Sequence, residues 1–208
     1  MLVESVMTRA VVTTEPSRSV HSAALLMREG RFRHLPVLLR DRLVGIVSDR
    51  DVTPNRENHT VGDVMRTELI CVTPDTPIEV AARLMLDNQI GALPVVENGS
   101  QSPAGIVTQS DLFAVLARLL GGDGPSTRLE VRLNDPSRQL AEITALAHDR
   151  RVPITSLVTL PANSRERTRR VVVRIGTIVA VPYVMALREA GIDVDQPELL
   201  ESQAADDV

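Results

Sequence analysis

The hydrophobic pattern of the first 120 residues runs through the same series of elements twice. A β-branched run leads through a proline turn into a stretch with apolar residues at three- and four-residue spacing, which predicts a strand followed by a helix. The β-branched runs lie at 11–14 and 70–73. The apolar positions of the predicted helices are Val20, Ala23, Ala24 and Met27 in the first copy and Ile78, Ala81, Ala82 and Met85 in the second.

Two short strands and a second helix complete each copy. The strands are predicted near 35–39 and 42–47, then near 92–96 and 104–107. The second helix is expected to begin after Ser48 or Thr108, because a hydroxyl group there can cap the free amides of a first helical turn. Each copy is therefore predicted as a β-α-β-β-α unit. Since one such unit buries little surface alone, we expect the two to pack together and form two symmetry-related clefts.

Residue identities repeat as well as polarity. The segment Leu35-Pro36-Val37 returns as Leu93-Pro94-Val95 at an offset of 58. After a two-residue insertion, Gly45-Ile46-Val47-Ser48 returns as Gly105-Ile106-Val107-Thr108 at an offset of 60, and Asp51 then corresponds to Asp111. One register held through several blocks indicates an internal duplication.

The C-terminal part of the chain follows a different pattern. A Gly- and Pro-rich segment at 121–125 is typical of a hinge. Alternation at Leu129, Val131 and Leu133 predicts a strand, and Asp135-Pro136 opens a helix. Two strands joined by a hairpin, a helix and a short strand follow, predicted at 154–160, 170–175, 181–190 and 192–195. The predicted order is βαββαβ, and the acidic tail is expected to be disordered.

Composition indicates an ordinary globular protein, with 43% hydrophobic and 24% charged residues. The aromatic residues are Phe32, Phe113 and Tyr183, too few for base-stacking platforms. A net charge of −4 argues further against nucleic acid as a partner. The basic run at 165–170 is expected to be a solvated hairpin tip. All 23 basic residues are arginine, whose planar side chain suits phosphate.

No pattern typical of an enzyme, a metal site or a membrane protein is present in the sequence. Cys71 is the single cysteine, and the four histidines, at 21, 34, 59 and 148, lack metal-ligand spacing. There is no phosphate loop, nucleophile elbow or HExxH motif, so we expect no catalytic residues, no metal and no required cofactor. The longest uncharged apolar stretch, 175–187, is shorter than a membrane span, and no secretory signal is evident. A cytoplasmic protein is expected.

With these motifs, the two copies resemble tandem cystathionine-β-synthase (CBS) domains, the pair called a Bateman module. The resemblance implies that the hydroxyl and carboxylate of each G-h-h-[ST]-x-x-D motif contact the ribose of an adenosine ligand. Those residues are Ser48 and Asp51 in the first copy and Thr108 and Asp111 in the second. A carboxylate can accept two hydrogen bonds from a vicinal diol.

The copies differ where the family often places phosphate-binding residues. The first copy has Arg33-His34 before its Leu-Pro-Val segment, and the second has Gly91-Ala92. In such pairs this strand reaches toward the ligand of the other copy. We therefore expect Thr108 and Asp111 to hold the ribose while Arg33-His34 meets the phosphate. The other cleft is expected to lack the basic pair and to be empty or to accept a less charged ligand.

The βαββαβ part resembles an ACT domain, a ferredoxin-like unit that often binds amino acids at dimer interfaces. Ser137 stands where many ligand-binding members have glycine, which argues against an amino-acid ligand. The order of CBS pair and ACT-like unit is similar to the acetoin utilization family of AcuB type. That family implies a regulatory role in acetoin utilization, and both domain families imply a homodimer.

The sequence thus predicts an α/β (α+β) protein that senses a small molecule. The expected ligand is an adenine nucleotide such as AMP, ADP or ATP, with S-adenosylmethionine or NADH as alternatives, and the regulated protein is unknown. The alternative function is an interaction or dimerisation module whose clefts are vestigial. The predicted boundaries are 1–58 and 59–120 for the CBS domains, 121–127 for the hinge linker, 128–195 for the ACT-like domain and 196–208 for the tail.

Overall fold

The computed structural model describes residues 1–53, 58–100, 102–121, 124–161, 169–195 and 198–200. The chain forms two compact units, Met1–Ala114 and Val115–Val208. The first unit contains both copies of the repeat except for the last residues of the second copy, which follow Ala114. Among the described residues, no helix combines the length and the apolar character needed to cross a membrane.

The first copy is a helix followed by a β-hairpin. Helix α1 covers Val20–Gly30, strand β1 His34–Leu39 and strand β2 Arg42–Ser48. The Ser19 side chain accepts a hydrogen bond from the Ser22 amide at 3.2 Å and caps α1. The hairpin turns through two residues with positive φ, Arg40 at 52° and Asp41 at 61°, the values that match the twist of paired strands. The predicted helix and strands are confirmed.

The second copy repeats this arrangement. Its elements are α2 (Val61–Val64), α3 (Ile78–Asp87), β3 (Ala92–Val96), β4 (Pro103–Thr108) and α4 (Gln109–Leu119). Strand β3 pairs antiparallel with β4 as β1 does with β2, so Pro94 lies opposite Ile106 as Pro36 lies opposite Ile46. The longer connection between β3 and β4 contains the insertion that shifts the sequence offset from 58 to 60.

The β-branched runs are not strands, which corrects the prediction for 11–14 and 70–73. Each run makes a single parallel bridge, between Thr14 and Val37 in the first copy. The Thr14 amide donates to Pro36 O at 3.0 Å, but the ladder cannot extend in either direction because Pro36 and Pro16 have no amide hydrogen. In the second copy the corresponding residues are Val72, Val95, Pro94 and Pro74.

The helix predicted after Ser48 is a turn in the described residues, so that prediction is wrong for the first copy. The Asp51 and Val52 amides both donate to Ser48 O, at 3.0 and 3.3 Å, without continuing into helical bonding through Thr53. Pro54 follows, and a proline supplies no amide hydrogen for a helix. The matching segment of the second copy has no proline and forms the eleven-residue helix α4.

Each copy is completed by a segment from outside it. A short 3₁₀ turn at Val3–Ser5 precedes Thr8, whose amide and carbonyl bond to Ile106 of the second copy at 2.9 and 3.0 Å. In return, Arg66 bonds to Ile46 of the first copy at 2.9 and 3.0 Å. These exchanged segments form one wall of each cleft described below.

Two separate hydrophobic cores reflect this exchange. The core around the second copy includes Val3 and Met7 from the N-terminal segment. The core around the first copy includes Val61, which belongs to α2. The fully buried strand residues of the two cores are Leu35, Val37 and Val47 in the first copy and Leu93, Val95 and Val107 in the second.

Replacing Gly105 by alanine is expected to lower the free energy of unfolding by about 1–3 kcal/mol through overpacking. A Cβ atom there would lie 2.7 Å from Thr8 O and 3.1 Å from Met7 Sδ, so the exchanged segment would have to move. Urea denaturation measures the loss. The control is Gly124→Ala, which meets no atom within 4 Å and is expected to change stability by less than about 0.5 kcal/mol. Equal effects of the two substitutions would contradict the packing described here.

The second unit is an antiparallel sheet with two long helices. After the end of α4, its elements are β5 (Ser126–Leu133), α5 (Pro136–Asp149), β6 (Ile154–Thr159), β7 (Arg169–Ile175), α6 (Val181–Glu189), β8 (Asp193–Val194) and β9 (Glu198–Leu200). The sheet order is β6-β7-β5-β8, with β9 also paired to β5. Up to β8, this is the βαββαβ order predicted from the sequence.

Alternation along β5 sets the core of the second unit. Leu129, Val131 and Leu133 are buried among residues of α5, β7 and α6. The buried Tyr183 hydroxyl donates to Ile143 O at 2.8 Å and joins the two helices, and burial raises the pKa of Tyr183 to about 12. Asp135 caps α5 through the Arg138 amide, at 3.3 Å.

The end of α4 belongs to this unit and bonds to its sheet. The Ser156 hydroxyl donates to Leu119 O at 2.7 Å, and the Arg174 guanidinium donates to Leu120 O. Arg174 also donates to Ser126 Oγ at 3.1 Å and is only 5% exposed. Charged and hydroxyl groups of the sheet thus satisfy carbonyls that the last turn of a helix leaves unpaired.

Two sequence predictions fall partly outside the described residues. Of the basic run at 165–170, only Arg169 and Arg170 are described, and both lie in β7. Arg170 donates to Glu130 at 3.1 Å. Of the tail at 196–208, for which disorder is predicted, 198–200 form strand β9, and the remaining residues lie outside the described part.

Candidate functional site

The first cleft is a cavity of about 280 Å³ within the first unit. Thr108 and Asp111 of the second copy line it together with Arg33 and His34 of the first copy. The structure therefore brings together the four residues that sequence comparison of the copies assigned to one cleft. Further lining residues are Thr8, Val12, Arg31, Phe32 and Ser110.

Thr108 and Asp111 are fixed by the start of α4. The Asp111 Oδ2 atom accepts from the Thr108 amide and from the Thr108 hydroxyl, both at 2.7 Å. The Asp111 amide lies 3.4 Å from Thr108 Oγ1. This reciprocal pair is a capping box, which holds the carboxylate at the helix N-terminus. Since both bonds end on Oδ2, the Oδ1 atom has no donor among the described residues and is available to a ligand.

Ser48 and Asp51 repeat this geometry in the first copy. The Asp51 Oδ2 atom accepts from the Ser48 amide at 2.9 Å and from its hydroxyl at 2.6 Å. The hydroxyl–carboxylate pair is therefore the same in both copies, although among the described residues a helix begins directly after it only in the second copy. Both pairs can offer a carboxylate oxygen to a vicinal diol.

Arg33 immediately precedes β1 and His34 begins it, beside the turn of their own copy. The Asp49 amide donates to Arg33 O at 2.9 Å, as the Gln109 amide donates to Gly91 O at 3.0 Å in the second copy. The His34 ring packs on Gly91, where a Cβ atom would be 3.1 Å from Cε1 and 3.2 Å from Nε2. The small residue of one copy thus makes room for the large residue of the other.

The second cleft has a volume of about 400 Å³ and contains Ser48 and Asp51. Arg33 and His34 line it as well, so the expectation that this cleft lacks the basic pair is wrong. The reason is the position of the pair, since the bond from Asp49 holds the strand end beside the turn of its own copy. The formally charged residues of this cleft are Arg33, Arg50, Arg66, Asp49, Asp51 and Glu68.

Several lining residues were not predicted from the sequence. Phe32 and Arg31 precede the basic pair and line the first cleft. Arg66 and Glu68 line the second cleft, where the equivalent residues of the first cleft are Thr8 and Ala10. The offset of 58 could have revealed these correspondences. Thr8, Ala10, Arg66 and Glu68 precede the strands predicted at 11–14 and 70–73, and no role in a site is predicted for them from the sequence.

His34 is the titratable group whose protonation would matter most to an anion in either cleft. Burial lowers the pKa of His34 below its usual value, and the nearby Arg33 and Arg50 act in the same direction. The carboxylates of Asp49 and Asp51 oppose the shift. In the free protein His34 is therefore mainly neutral at pH 7, and a bound anion would favour its protonated form.

Within the described part of the chain, no three His, Cys, Asp or Glu side chains gather as a metal site. Partial burial raises the pKa of the half-buried Cys71 thiol, which disfavours the reactive thiolate.

A duplicated unit that encloses two clefts, each with a hydroxyl–carboxylate pair and arginines, defines a tandem ligand-binding module. The chain belongs to the CBS domain family, whose model matches residues 3–55 and 61–118, more than half of the chain. As a CBS-pair protein it falls in a class that is generally regulatory and senses nucleotides or other adenosine compounds.

Two sequence relatives show how far the likeness extends. The CBS domain-containing protein YhcV of Bacillus subtilis (strain 168) is 34% identical over 116 residues, which cover 53% of this chain and 81% of YhcV. An inosine-5'-monophosphate dehydrogenase of Korarchaeum cryptofilum is 38% identical over 111 residues, 53% of this chain. Those residues are 23% of the dehydrogenase, so the chain spans less than a quarter of that enzyme and matches only its CBS part.

Three solved structures share the fold of the repeat. The CBS domain pair of protein MJ0100, in complex with 5'-methylthioadenosine and S-adenosyl-L-methionine, has a TM-score of 0.53 and 25% identity, over 56% of this chain and 96% of that one. A Vibrio cholerae structure named as an acetoin utilization protein (AcuB) has a TM-score of 0.52 and 31% identity, over 58% and 93%. CBSX2 in complex with AMP has a TM-score of 0.50 and 30% identity, over 55% and 95%.

Proposed function

We propose that this chain is a regulatory sensor that binds an adenine nucleotide of the AMP, ADP or ATP type in the first cleft. Thr108 and Asp111 bind the ribose, and Arg33 and His34 bind the phosphate. The observation that carries this proposal is the cavity in which these four residues, drawn from both copies, face the same space. The ligand acts as a regulator, and no cofactor is needed.

The chemistry of each end of the first cleft supports the assignment. Asp111 Oδ1 can accept hydrogen bonds from the two hydroxyl groups of a ribose. Arg33 can make charge-assisted hydrogen bonds to a phosphate, and the N-terminus of α4 adds a favourable field for negative charge. Phe32 offers an apolar surface for the adenine ring. A volume of about 280 Å³ is near the lower end of ligand pockets, roughly 300–1,000 Å³, which favours a mononucleotide over a dinucleotide.

The ligands of related proteins support the same class of compound. The CBS pair of MJ0100 was solved with two adenosine derivatives, and CBSX2 was solved with AMP. We infer that this chain binds the adenosine group of such ligands because its hydroxyl–carboxylate pairs are intact in both copies. We infer that it also binds a phosphate group because Arg33 and His34 line the first cleft.

For the C-terminal unit we propose an ACT-like, ferredoxin-like domain at 128–195, after CBS domains at 1–58 and 59–120 and a linker at 121–127. The βαββαβ order and the sheet order β6-β7-β5-β8 support this assignment. We propose further that the protein is a cytoplasmic homodimer that controls an unidentified partner protein. The likeness to the Vibrio cholerae AcuB structure favours acetoin utilization as its setting.

The alternative function is an interaction module whose clefts bind nothing. An exposed apolar stripe along α4 favours it, because isolated exposed residues are common but contiguous ones indicate association. Phe113 is 68% exposed, Leu116 51% and Leu119 55%, at the spacing of one helix face.

Thermal unfolding of the full chain with a panel of adenosine compounds distinguishes the two functions. A ligand at 100 times its Kd stabilises the folded state by about 2.7 kcal/mol, which is roughly 5–10 °C for a protein of this size. We expect such a shift with at least one of AMP, ADP and ATP, and none with ribose 5-phosphate at the same concentration. No shift with any adenosine compound would favour the interaction module and refute the sensor.

Nucleotide binding is expected to respond to pH through His34. A phosphate beside the imidazole raises the pKa of His34, so the complex takes up a proton and affinity increases as pH falls from 8 to 6. AMP itself loses negative charge near pH 6, so His34→Asn serves as the reference. Calorimetry should show that the ratio of wild-type to His34→Asn affinity rises as pH falls. A ratio independent of pH would contradict a contact between His34 and the phosphate.

A further inference from the structure

One basic pair stands between two cavities. Arg33, His34 and Gly91 line both the first and the second cleft. The strand end that carries the pair is held from both sides, by the bond from the Asp49 amide to Arg33 O at 2.9 Å and by the packing of His34 on Gly91. The pair therefore cannot move as a whole into one cleft, but the exposed Arg33 side chain can turn toward either.

Formal charges differ between the clefts once Arg33 is assigned to one of them. With Arg33 turned toward the first cleft, that cleft has two arginines, Arg31 and Arg33, against the single carboxylate of Asp111. The second cleft then has two arginines against three carboxylates, namely Arg50 and Arg66 against Asp49, Asp51 and Glu68. A phosphate is thus favoured in the first cleft and disfavoured in the second.

The sugar-binding end of the second cleft is nevertheless complete. Asp51 Oδ2 is held by the Ser48 amide and hydroxyl at 2.9 and 2.6 Å, close to the 2.7 Å of both bonds at Thr108 and Asp111. The larger volume, about 400 Å³, leaves room for a nucleoside. Apart from Arg33, every arginine of the second cleft is balanced by a carboxylate. This cleft therefore has no excess positive charge of its own with which to bind a phosphate.

We propose that the two clefts share Arg33 and His34, so that the chain binds one phosphorylated adenosine compound at a time. While the first cleft holds a phosphate, the second cleft accepts only an unphosphorylated adenosine compound. This inference rests on the proposed function and specifies which ligands can be bound together. The sensor binds two ligands of different charge at the same time, one in each cleft. A second nucleotide does not bind in the second cleft in the way that the first nucleotide binds in the first cleft.

Isothermal titration calorimetry of the full chain with AMP and adenosine tests this inference. Titration with AMP alone is expected to give one AMP per chain, with any second binding event at least about tenfold weaker. Adenosine titrated into the AMP-saturated protein is expected to bind at one further site per chain without releasing AMP. The Asp51→Ala variant is expected to lose this adenosine binding event.

Arg33→Gln provides a second variant, because without the shared guanidinium the first cleft loses its excess of positive charge and the clefts differ by one formal charge instead of two. The two dissociation constants for AMP are then expected to lie closer to each other than in the wild-type chain. Two AMP molecules bound with equal affinity to the wild-type chain would overturn the inference, as would adenosine that only displaces AMP. In both of those cases the proposed function stands. Absence of binding by AMP, ADP and ATP alike would refute the proposed function itself.

Discussion

The Asp111→Ala substitution is expected to weaken AMP binding by about tenfold or more. Hydrogen bonds to a charged group contribute about 1.5–3 kcal/mol, and a loss of 1.4 kcal/mol is a factor of ten in affinity. Asp111 Oδ2 is occupied by the Thr108 amide and hydroxyl, so the ribose contact depends on Oδ1 of the same carboxylate. Calorimetric titration with AMP, well below the unfolding temperature, measures the effect.

Asp51→Ala is the matched control for this substitution. Asp51 makes the same local bonds to Ser48, at 2.9 and 2.6 Å, so both variants lose a similar local structure. The stability cost of each is expected to be about 1 kcal/mol. Only Asp111 lines the first cleft, so AMP affinity should fall far more in Asp111→Ala than in Asp51→Ala. Equal losses in the two variants would show that the effect is structural and that the ribose lies elsewhere.

Replacing Arg33 by glutamine is expected to lower AMP affinity by about tenfold or more while adenosine affinity changes by less than about threefold. The guanidinium makes charge-assisted bonds to phosphate, which are roughly twice as strong as neutral ones, and adenosine has no phosphate to lose. Arg33→Lys should fall between glutamine and wild type, because an ammonium keeps the charge but not the planar pair of donors. Titration of each variant with both ligands measures the difference.

Arg28→Gln is the control for the loss of positive charge. Arg28 lies in the last turn of α1, is exposed, and lines neither cleft. Its removal changes the net charge by the same amount, so AMP affinity should change by less than about twofold. An equal loss in Arg28→Gln would mean that Arg33 acts through the general charge of the surface. A parallel loss of adenosine affinity in Arg33→Gln would mean that it supports the fold of the cleft.

Much of the first unit could be predicted from the sequence because the duplication presents the pattern of each element twice, and the two patterns can be compared. Helices α1 and α3 and the four strands follow directly from apolar spacing. The wrong predictions lie where a proline prevents the element that the hydrophobic pattern predicts. Pro36 and Pro16 reduce a β-branched run to a single bridge, and the segment after Ser48 forms a turn ahead of Pro54 although its motif matches a helical one.

The proposed ribose-binding and phosphate-binding residues of the first cleft could be predicted from the sequence, but the other residues that line the clefts could not. Comparison of the copies assigned Thr108, Asp111, Arg33 and His34 to one cleft, and the structure brings them together. It could not show that the same basic pair lines the second cleft, because that follows from the bond between the Asp49 amide and Arg33 O in the folded chain. Nor could it show that Arg66 and Glu68 contribute, since exchange of the segments between copies is a property of the folded chain.

The most direct test of the account is a crystal structure of the full chain grown with AMP. We predict AMP in the first cleft, with the ribose hydroxyl groups within hydrogen-bonding distance of Asp111 Oδ1 and the phosphate beside Arg33 and His34. Phe32 should contact the adenine ring. An AMP molecule bound in the reverse orientation, bound outside the two clefts, or with its phosphate beside Arg50 and Arg66 would contradict the account.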